Sequence, residues 1–211
     1  MNLSNTDIRQ QKMAVTDPGA VDALLLTART GFLGLADGDD PYVVPLNFVW
    51  IHSTVYFHGA ADGRKARLLA SPRKATFTVC EDYGTLAHPV PAHTDTAYLS
   101  AMIFGACHPV SDLNETVRVL QALLDKYVPG YYEALLPKGH AESYRSALGS
   151  HAQVYKLVTE RITAKQSPAD PDRMFFPGRT RVEDLKLQAV ESNRATNPEP
   201  RAVDSGEKRD P

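Results

Sequence analysis

Cysteine is scarce in these 211 residues: only Cys80 and Cys107 occur, and they form no CxxC pair. That excludes a disulfide framework and the common structural zinc spacings. No apolar run approaches the roughly 20 residues that cross a bilayer. The opening MNLSNTDIRQQKM is polar, without the apolar stretch and cleavage site of a secretory leader. A soluble, cytoplasmic protein with no membrane partner is therefore expected. Basic charge is not in surplus either, since 23 Lys and Arg stand against 25 Asp and Glu. A formal net charge of -2 argues against nucleic acid as a partner. Three signatures are missing as well: the GxxxxGK[ST] phosphate loop, the GxGxxG dinucleotide turn and the GxSxG nucleophile elbow.

What is present divides by composition. Residues 167–211 hold 6 of the 15 prolines and 17 charged residues, with Phe175 and Phe176 as the only aromatics. So little apolar surface predicts a mostly disordered C-terminal tail, although RVEDLKLQAV has the spacing of a short docked helix. Residues 1–12 read as a flexible N-terminus and 13–166 as the folded body. In the body, Thr16-Asp17-Pro18 caps a first helix carrying Val21, Leu24 and Leu25. GFLGLA reads as a strand, and DGDDP as a turn. YVVPLNFVWI reads as one buried strand that pairs through His52-Ser53 with TVYFH, a hairpin over 42–58. Pro45 places that strand at an edge or a bulge. RKARLLA is a short helix, and KATFTVCE a half-buried strand before a loop at 82–94. TAYLSAMIFGACHPV is the longest strand, with Gly105 as a bulge. Asp112 caps the next helix, HAESYRSALG is a further short helix, and HAQVYKLVTERITAKQ is the last strand. The fold class is mainly β (α+β): about six antiparallel strands in a closed or partly closed barrel, with short flanking helices.

The segment HGAADGRKARLL brings Arg64 and Lys65 into the first turn of a helix, just after a strand that ends at His58. Cations there conflict with the helix dipole unless an anion is present. The segment reads equally as a phosphate site or as a solvated helix start with two surface cations. His58 reads as a hydrogen-bonded rim residue or as a catalytic group. His88, His93 and Cys80 match no common zinc site, so no metal is expected. Cys80 and Cys107 read as small buried hydrophobes in strands. Tyr127, Tyr131 and Tyr132 in YVPGYY read as helix-end packing or as pocket lining.

The succession GFLGLADGDDPYVVPLNFVW, VYFHGAADGRKARLL, SPRKATFTVCED, AYLSAMIFG and HAQVYKLVTERITAKQ resembles the pyridoxamine 5′-phosphate oxidase-like superfamily over about residues 13–166. The likeness is nearest to the branch of Nim-type nitroimidazole-resistance proteins. It implies an FMN-binding split β-barrel that forms a homodimer, with the cofactor in clefts at the dimer interface. Carried over residue by residue, it assigns His58, Gly59, Ala60, Arg64 and Lys65 to the phosphate side. Val44, Pro45, Leu46 and Asn47 would lie along the flavin ring, and Tyr98 and Ser100 on the strand that closes the site.

The chain departs from the pattern at Leu99, where relatives often carry a basic residue, and in a stretch between Lys65 and Pro72 one residue shorter than usual. The resemblance implies an FMN-dependent oxidoreductase acting on a small molecule, nitroimidazole-type compounds among the options, with His58 as the catalytic residue. The Arg/His substrate clamp of the oxidase itself is not identifiable, which disfavours that reaction. The alternatives are a deazaflavin-dependent reductase, or a non-catalytic flavin- or haem-binding protein with His58, His88, His93 or His108 as axial ligand.

Overall fold

A computed structural model describes residues 2–4, 8–145 and 149–196. Asp17 opens helix α1 (Pro18–Thr27) by accepting a 2.9 Å hydrogen bond from Gly19 N, and Pro18 supplies the first helical φ. Seven strands follow among the described residues: β1 (Gly31–Asp37), β2 (Asp40–Leu46), β3 (Phe48–Ile51), β4 (Thr54–Ala60), β5 (Arg73–Leu86), β6 (Asp95–Pro109) and β7 (Ala152–Ser167). Helix α2 (Gly63–Leu68) joins β4 to β5. Helices α3 (Leu113–Tyr127) and α4 (Lys138–Glu142) lie between β6 and β7, and α5 (Arg181–Thr196) ends the described chain. No helix among the described residues is long and apolar enough to cross a membrane.

The sheet order is β2-β1-β5-β6-β7-β4-β3. Its two edge strands, β2 and β3, are consecutive in sequence and separated by Asn47 alone. The sheet must therefore curl until its edges meet at that residue, yet the edges do not pair. This is a barrel split along one seam. The expected single strand over 42–51 is thus two strands, and there are seven rather than about six. β2 pairs with β1 (Leu33 with Val44), whereas β3 pairs with β4 (Phe48 with Phe57). The turn between β3 and β4 is the tight one expected, with positive φ at both His52 (47°) and Ser53 (58°). Pro41 and Pro45 sit on an edge strand, where a missing N–H leaves no ladder bond unmade.

Period-two alternation fills the interior. Leu33 and Leu35 of β1, Val55 and Phe57 of β4, Phe77 and Val79 of β5, and Ile103 and Cys107 of β6 are buried together with Val21, Leu24 and Leu25 of α1. Gly105 marks a register shift between β6 and β7, and a Cβ there would overlap the Val158 carbonyl oxygen. A second, smaller cluster seats α3 on the other face of β3 and β4: Val119, Leu120 and Leu123 meet Val49, Tyr56 and Val154. Asp112 caps α3 through Asn114 N and Glu115 N. Glu115 then accepts from Tyr56 Oη (2.8 Å) and pairs with Lys156 (2.9 Å).

Other expectations need correction. β5 continues to Leu86, which shortens the loop expected at 82–94. The helix expected at HAESYRSALG is confined to α4, and Arg145 instead bridges to His151. The N-terminal segment is not free where it is described: Ser4 N donates to Ile162 O, Ile162 N donates to Asn2 O, and Ile8 is buried. Cys107 is buried as expected, but Cys80 is exposed.

The chain divides into two compact units, Met1–Tyr83 with Ala97–Pro168, and Gly84–Thr96 with Ala169–Pro211. The second unit carries structure where composition predicts a solvated tail. Phe175 N donates to Thr85 O, and Ala87 N to Arg173 O. Arg179 pairs with Asp184 (2.9 Å) and donates to the Met174 and Asp172 carbonyls, while Arg181 donates to Pro89 O. Guanidinium-to-backbone bonds thus do what apolar burial does elsewhere, because Phe175, Phe176 and Leu187 are exposed. Helix α5 covers the segment with helical spacing, and the rest of the expected tail, 197–211, lies outside the described residues.

Candidate functional site

Strand β4 sends Phe57 and Gly59 to the barrel interior and His58 to the opposite face. Gly59 lacks a side chain where one would collide with Lys65 Nζ. The lysine of α2 therefore folds back over the strand instead of reaching for water. Its ammonium stands 5.7 Å from the ring centres of both Phe57 and Tyr155. No carboxylate among the described residues pairs with it. Burial lowers its pKa, and the buried Cys107 thiol is itself pushed up to about 12. A half-buried cation set against rings and a thiol, with no carboxylate among the described residues to pair with, is a costly arrangement for a fold to keep.

Arg64, its neighbour in sequence, has different surroundings. Its Nε donates to Asp37 Oδ2 at 2.8 Å, and its guanidinium lies over the Tyr42 ring at 4.9 Å. Arg67 also binds Asp37 through both Nη atoms (3.2 and 2.7 Å). Those bonds, with the two positive charges, hold the Asp37 carboxyl below its usual range despite some opposing desolvation. The two cations that the sequence places together thus point to different partners.

His58 pairs in register with Val154, and its ring meets Tyr144 edge-on at 6.4 Å. Its Nδ1 is buried without a hydrogen-bond partner. Burial, and then the charge of Lys65, lower its pKa. The imidazole is neutral at pH 7, the form that can accept a proton or ligate a metal. Below pH 6.5 the unfolded chain takes up a proton that folded His58 resists, so stability should fall as pH drops through that value. His58→Gln should flatten this acid slope. Urea unfolding of parent and variant at pH 7.5 and 5.5 checks it, and an unchanged slope would place the titration on another group.

The remaining expected site residues separate into two groups. Ala60 closes β4 opposite Ala152. Val44 and Leu46 are half-buried against the core, while Pro45 and Asn47 are exposed at the seam. Asn47 precedes Phe48, whose partner across the ladder is Phe57, the residue before His58. Tyr98 and Ser100 do not join them within one chain. They pair with Ser167 and Lys165, whereas His58 pairs with Val154. Along β7 that is at least about 35 Å of strand. Leu99 faces the core, which explains an apolar residue at that position.

Tyr127 is a structural latch and not a pocket wall, as its bonds to Phe48 and Arg29 show. Tyr131, Tyr132 and Tyr144 line a cavity of about 550 Å³. His88 Nδ1 accepts from Val90 N and its ring meets His93 at 4.7 Å, and His108 Nδ1 lies 3.2 Å from Pro109 O. Among the described residues no group of three or more His, Cys, Asp or Glu is arranged to hold a metal ion. Sequence reasoning missed Asp37 and Tyr42. The acidic turn DGDDP, opposite the only arginine pair of α2, was the available signal.

The sequence model of the family described as pyridoxamine 5′-phosphate oxidase matches residues 17–166. No curated protein matches the chain. Among solved structures, the fold is similar to that of the flavocytochrome Anf3 from Azotobacter vinelandii. The TM-score is 0.64 at 23% identity, over 81% of this chain and 78% of that one. The FAD and heme binding protein from Mycobacterium smegmatis gives 0.64 at 20% identity, over 83% and 80%. A candidate 5-nitroimidazole antibiotic resistance protein from Bacteroides thetaiotaomicron gives 0.58 at 21%, over 72% and 86%. Identities this low speak for a shared split-barrel architecture.

Proposed function

The chain belongs to the pyridoxamine 5′-phosphate oxidase family, and from that premise we propose that it is a flavin-binding oxidoreductase acting on a small molecule. The observation that carries this reading is the half-buried Lys65 ammonium, which pairs with no carboxylate among the described residues and lies against a glycine. A phosphate there forms a charge-assisted contact and offsets the desolvation of the cation. When bound, a flavin supplies hydride or single-electron transfer, and the protein supplies position and surroundings. Lys65 holds the phosphate end. Neutral His58 lies on the face of β4 opposite Lys65, so a proton it accepts or returns at its ring nitrogen is exchanged away from the phosphate end.

Tyr98 and Ser100 reach such a site only from a second copy of the chain. This, with the exposed Phe32, Val43 and Met102 on the strands, supports a homodimer with the cofactor at its interface.

A second reading has its own support. A neutral imidazole with an unpartnered Nδ1 also suits haem iron, and two fold relatives are described as a flavocytochrome and as an FAD and heme binding protein. The absorption spectrum of the purified protein separates the two. A flavin spectrum with fluorescence released on denaturation supports the first reading, and a Soret band lost in His58→Ala supports the second. Mass spectrometry of the extract distinguishes FMN from FAD or a deazaflavin. Sedimentation of a flavin-loaded monomer at micromolar concentration would overturn the interface site.

A further inference from the structure

The segment that returns from the end of α3 is firmly anchored, yet it leaves its rings outside the core. Pro129 and Gly130 turn the chain, Gly130 with a φ of 73° and Tyr131 N donating to Val128 O at 3.1 Å. Leu136 N then donates to Gln121 Oε1 at 2.8 Å. The amide nitrogen of the same glutamine donates to Asp125 at 2.7 Å, so the side chain that holds the loop is itself fixed. Leu136 packs against the cluster that seats α3. Between these anchors Tyr131 and Tyr132 stand edge-on to each other, 5.0 Å between ring centres. They are 75% and 56% exposed, so their rings contribute little to the core and stay open to a ligand.

Those two rings and Tyr144 wall the cavity of about 550 Å³, a volume within the range of small-molecule sites. Its charge is one-sided. Glu133 stands on the wall, exposed and with neither hydrogen bond nor ion pair among the described residues, and no Lys or Arg lines the cavity. The face of a tyrosine ring carries the negative part of its quadrupole, so the rings and the carboxylate attract the same sign of charge. We propose that this cavity binds an organic cation, an alkylated ammonium on an apolar body, with the ammonium set against the tyrosine faces and Glu133. A metal ion does not suit the site. It needs several oxygen ligands, and among the described residues no group of three or more acids, histidines or cysteines is arranged to supply them. An alkylated ammonium presents methyl groups to the rings and needs no such shell. The cavity is distinct from the flavin site proposed above, since Tyr144 meets His58 on the face of β4 opposite Lys65.

The test is isothermal titration of the full chain, as purified, at pH 8 with choline, with benzyltrimethylammonium and with dimethylbutanol, the uncharged analogue that has carbon in place of the choline nitrogen. Choline should bind at least about fivefold more tightly than dimethylbutanol, the scale of a cation–π contact beside a carboxylate. Benzyltrimethylammonium should bind more tightly than choline, because the cavity has room for its ring. Glu133→Gln should weaken both cations and leave dimethylbutanol within about twofold. Tyr132→Leu should abolish the preference for charge, and Tyr132→Phe should keep it, because the ring face and not the hydroxyl makes the contact. Both residues are exposed, so these variants fold. Equal affinity for choline and dimethylbutanol, or no binding of any probe, would overturn the inference. So would a preference that survives in both Glu133→Gln and Tyr132→Leu, which would put the cation elsewhere on the protein. A parent blind to all three probes, with a Tyr132→Leu variant that sediments as a smaller species, would overturn it and give the surface to a second copy of the chain. None of these results bears on flavin binding, which the absorption spectrum reads separately.

Discussion

Lys65→Met should yield a protein that purifies without flavin and yet melts a few degrees above the cofactor-free parent. The two effects have one cause. Methionine keeps the unbranched stem in contact with the rings of Phe57 and Tyr155 and still fits against Gly59. It removes an ammonium that folding takes partly out of water with no anion to receive it. Relief of that desolvation, less the cation–π attraction given up, is worth about 1 kcal/mol. For a chain of this size that is about 2–4 °C in melting temperature. Affinity moves the other way. A hydrogen bond to a charged group contributes about 1.5–3 kcal/mol, so flavin binding should weaken roughly ten- to a hundredfold. Calorimetry on the stripped proteins and flavin titration of both give the two numbers. Flavin affinity equal to the parent's would remove Lys65 from the phosphate site. A lower melting temperature would mean that the ammonium has a stabilising partner in the fold.

Where the fold was legible in the sequence, a local interaction decided it. Asp17 with Pro18, and Asp112, announce helix starts because a side-chain oxygen two or three residues back suffices to cap them. His52-Ser53 announces a hairpin because two residues between β-formers leave few turn geometries. The split at Asn47 was illegible for the opposite reason. Pro45 and Asn47 interrupt the β-formers of YVVPLNFVWI without saying that the strand changes neighbours there, and the distant partners, β1 for its first half and β4 for its second, divide it. The site behaves alike. Arg64 and Lys65 are adjacent cations in sequence, and nothing local says that Asp37 claims one while Phe57, Tyr155 and Cys107 surround the other. Tyr98 and Ser100 are assigned by resemblance to a family, and no local pattern in the sequence says that β7 separates them from His58 within one chain. The second unit was missed because composition counts apolar surface, whereas Arg173, Arg179 and Arg181 bind backbone carbonyls.

Tyr127→Phe should be the most damaging loss of a single oxygen atom in this fold. The Tyr127 hydroxyl accepts from Phe48 N at 2.8 Å and has one proton to give, to Arg29 O at 2.5 Å or to Phe48 O at 3.0 Å. Phe48 is fully buried and is the first residue after the seam, its ring edge-on to Phe77 at 4.9 Å. One hydroxyl therefore joins the end of α3, the exit of α1 and the point where the barrel divides. Phenylalanine fills the same space and leaves the Phe48 N–H buried without a partner, at a cost of about 1–3 kcal/mol. The melting temperature should fall by roughly 3–10 °C. Tyr56→Phe is the control. Its hydroxyl donates to Glu115, but Glu115 keeps Lys156 at 2.9 Å, so no buried group is stranded and the loss should stay near 1 kcal/mol or below. Equal losses in the two variants would show that the seam does not depend on the latch. A larger loss in Tyr127→Phe than in Tyr56→Phe would show that this hydroxyl holds the end of α3 and the exit of α1 to the point where the barrel divides.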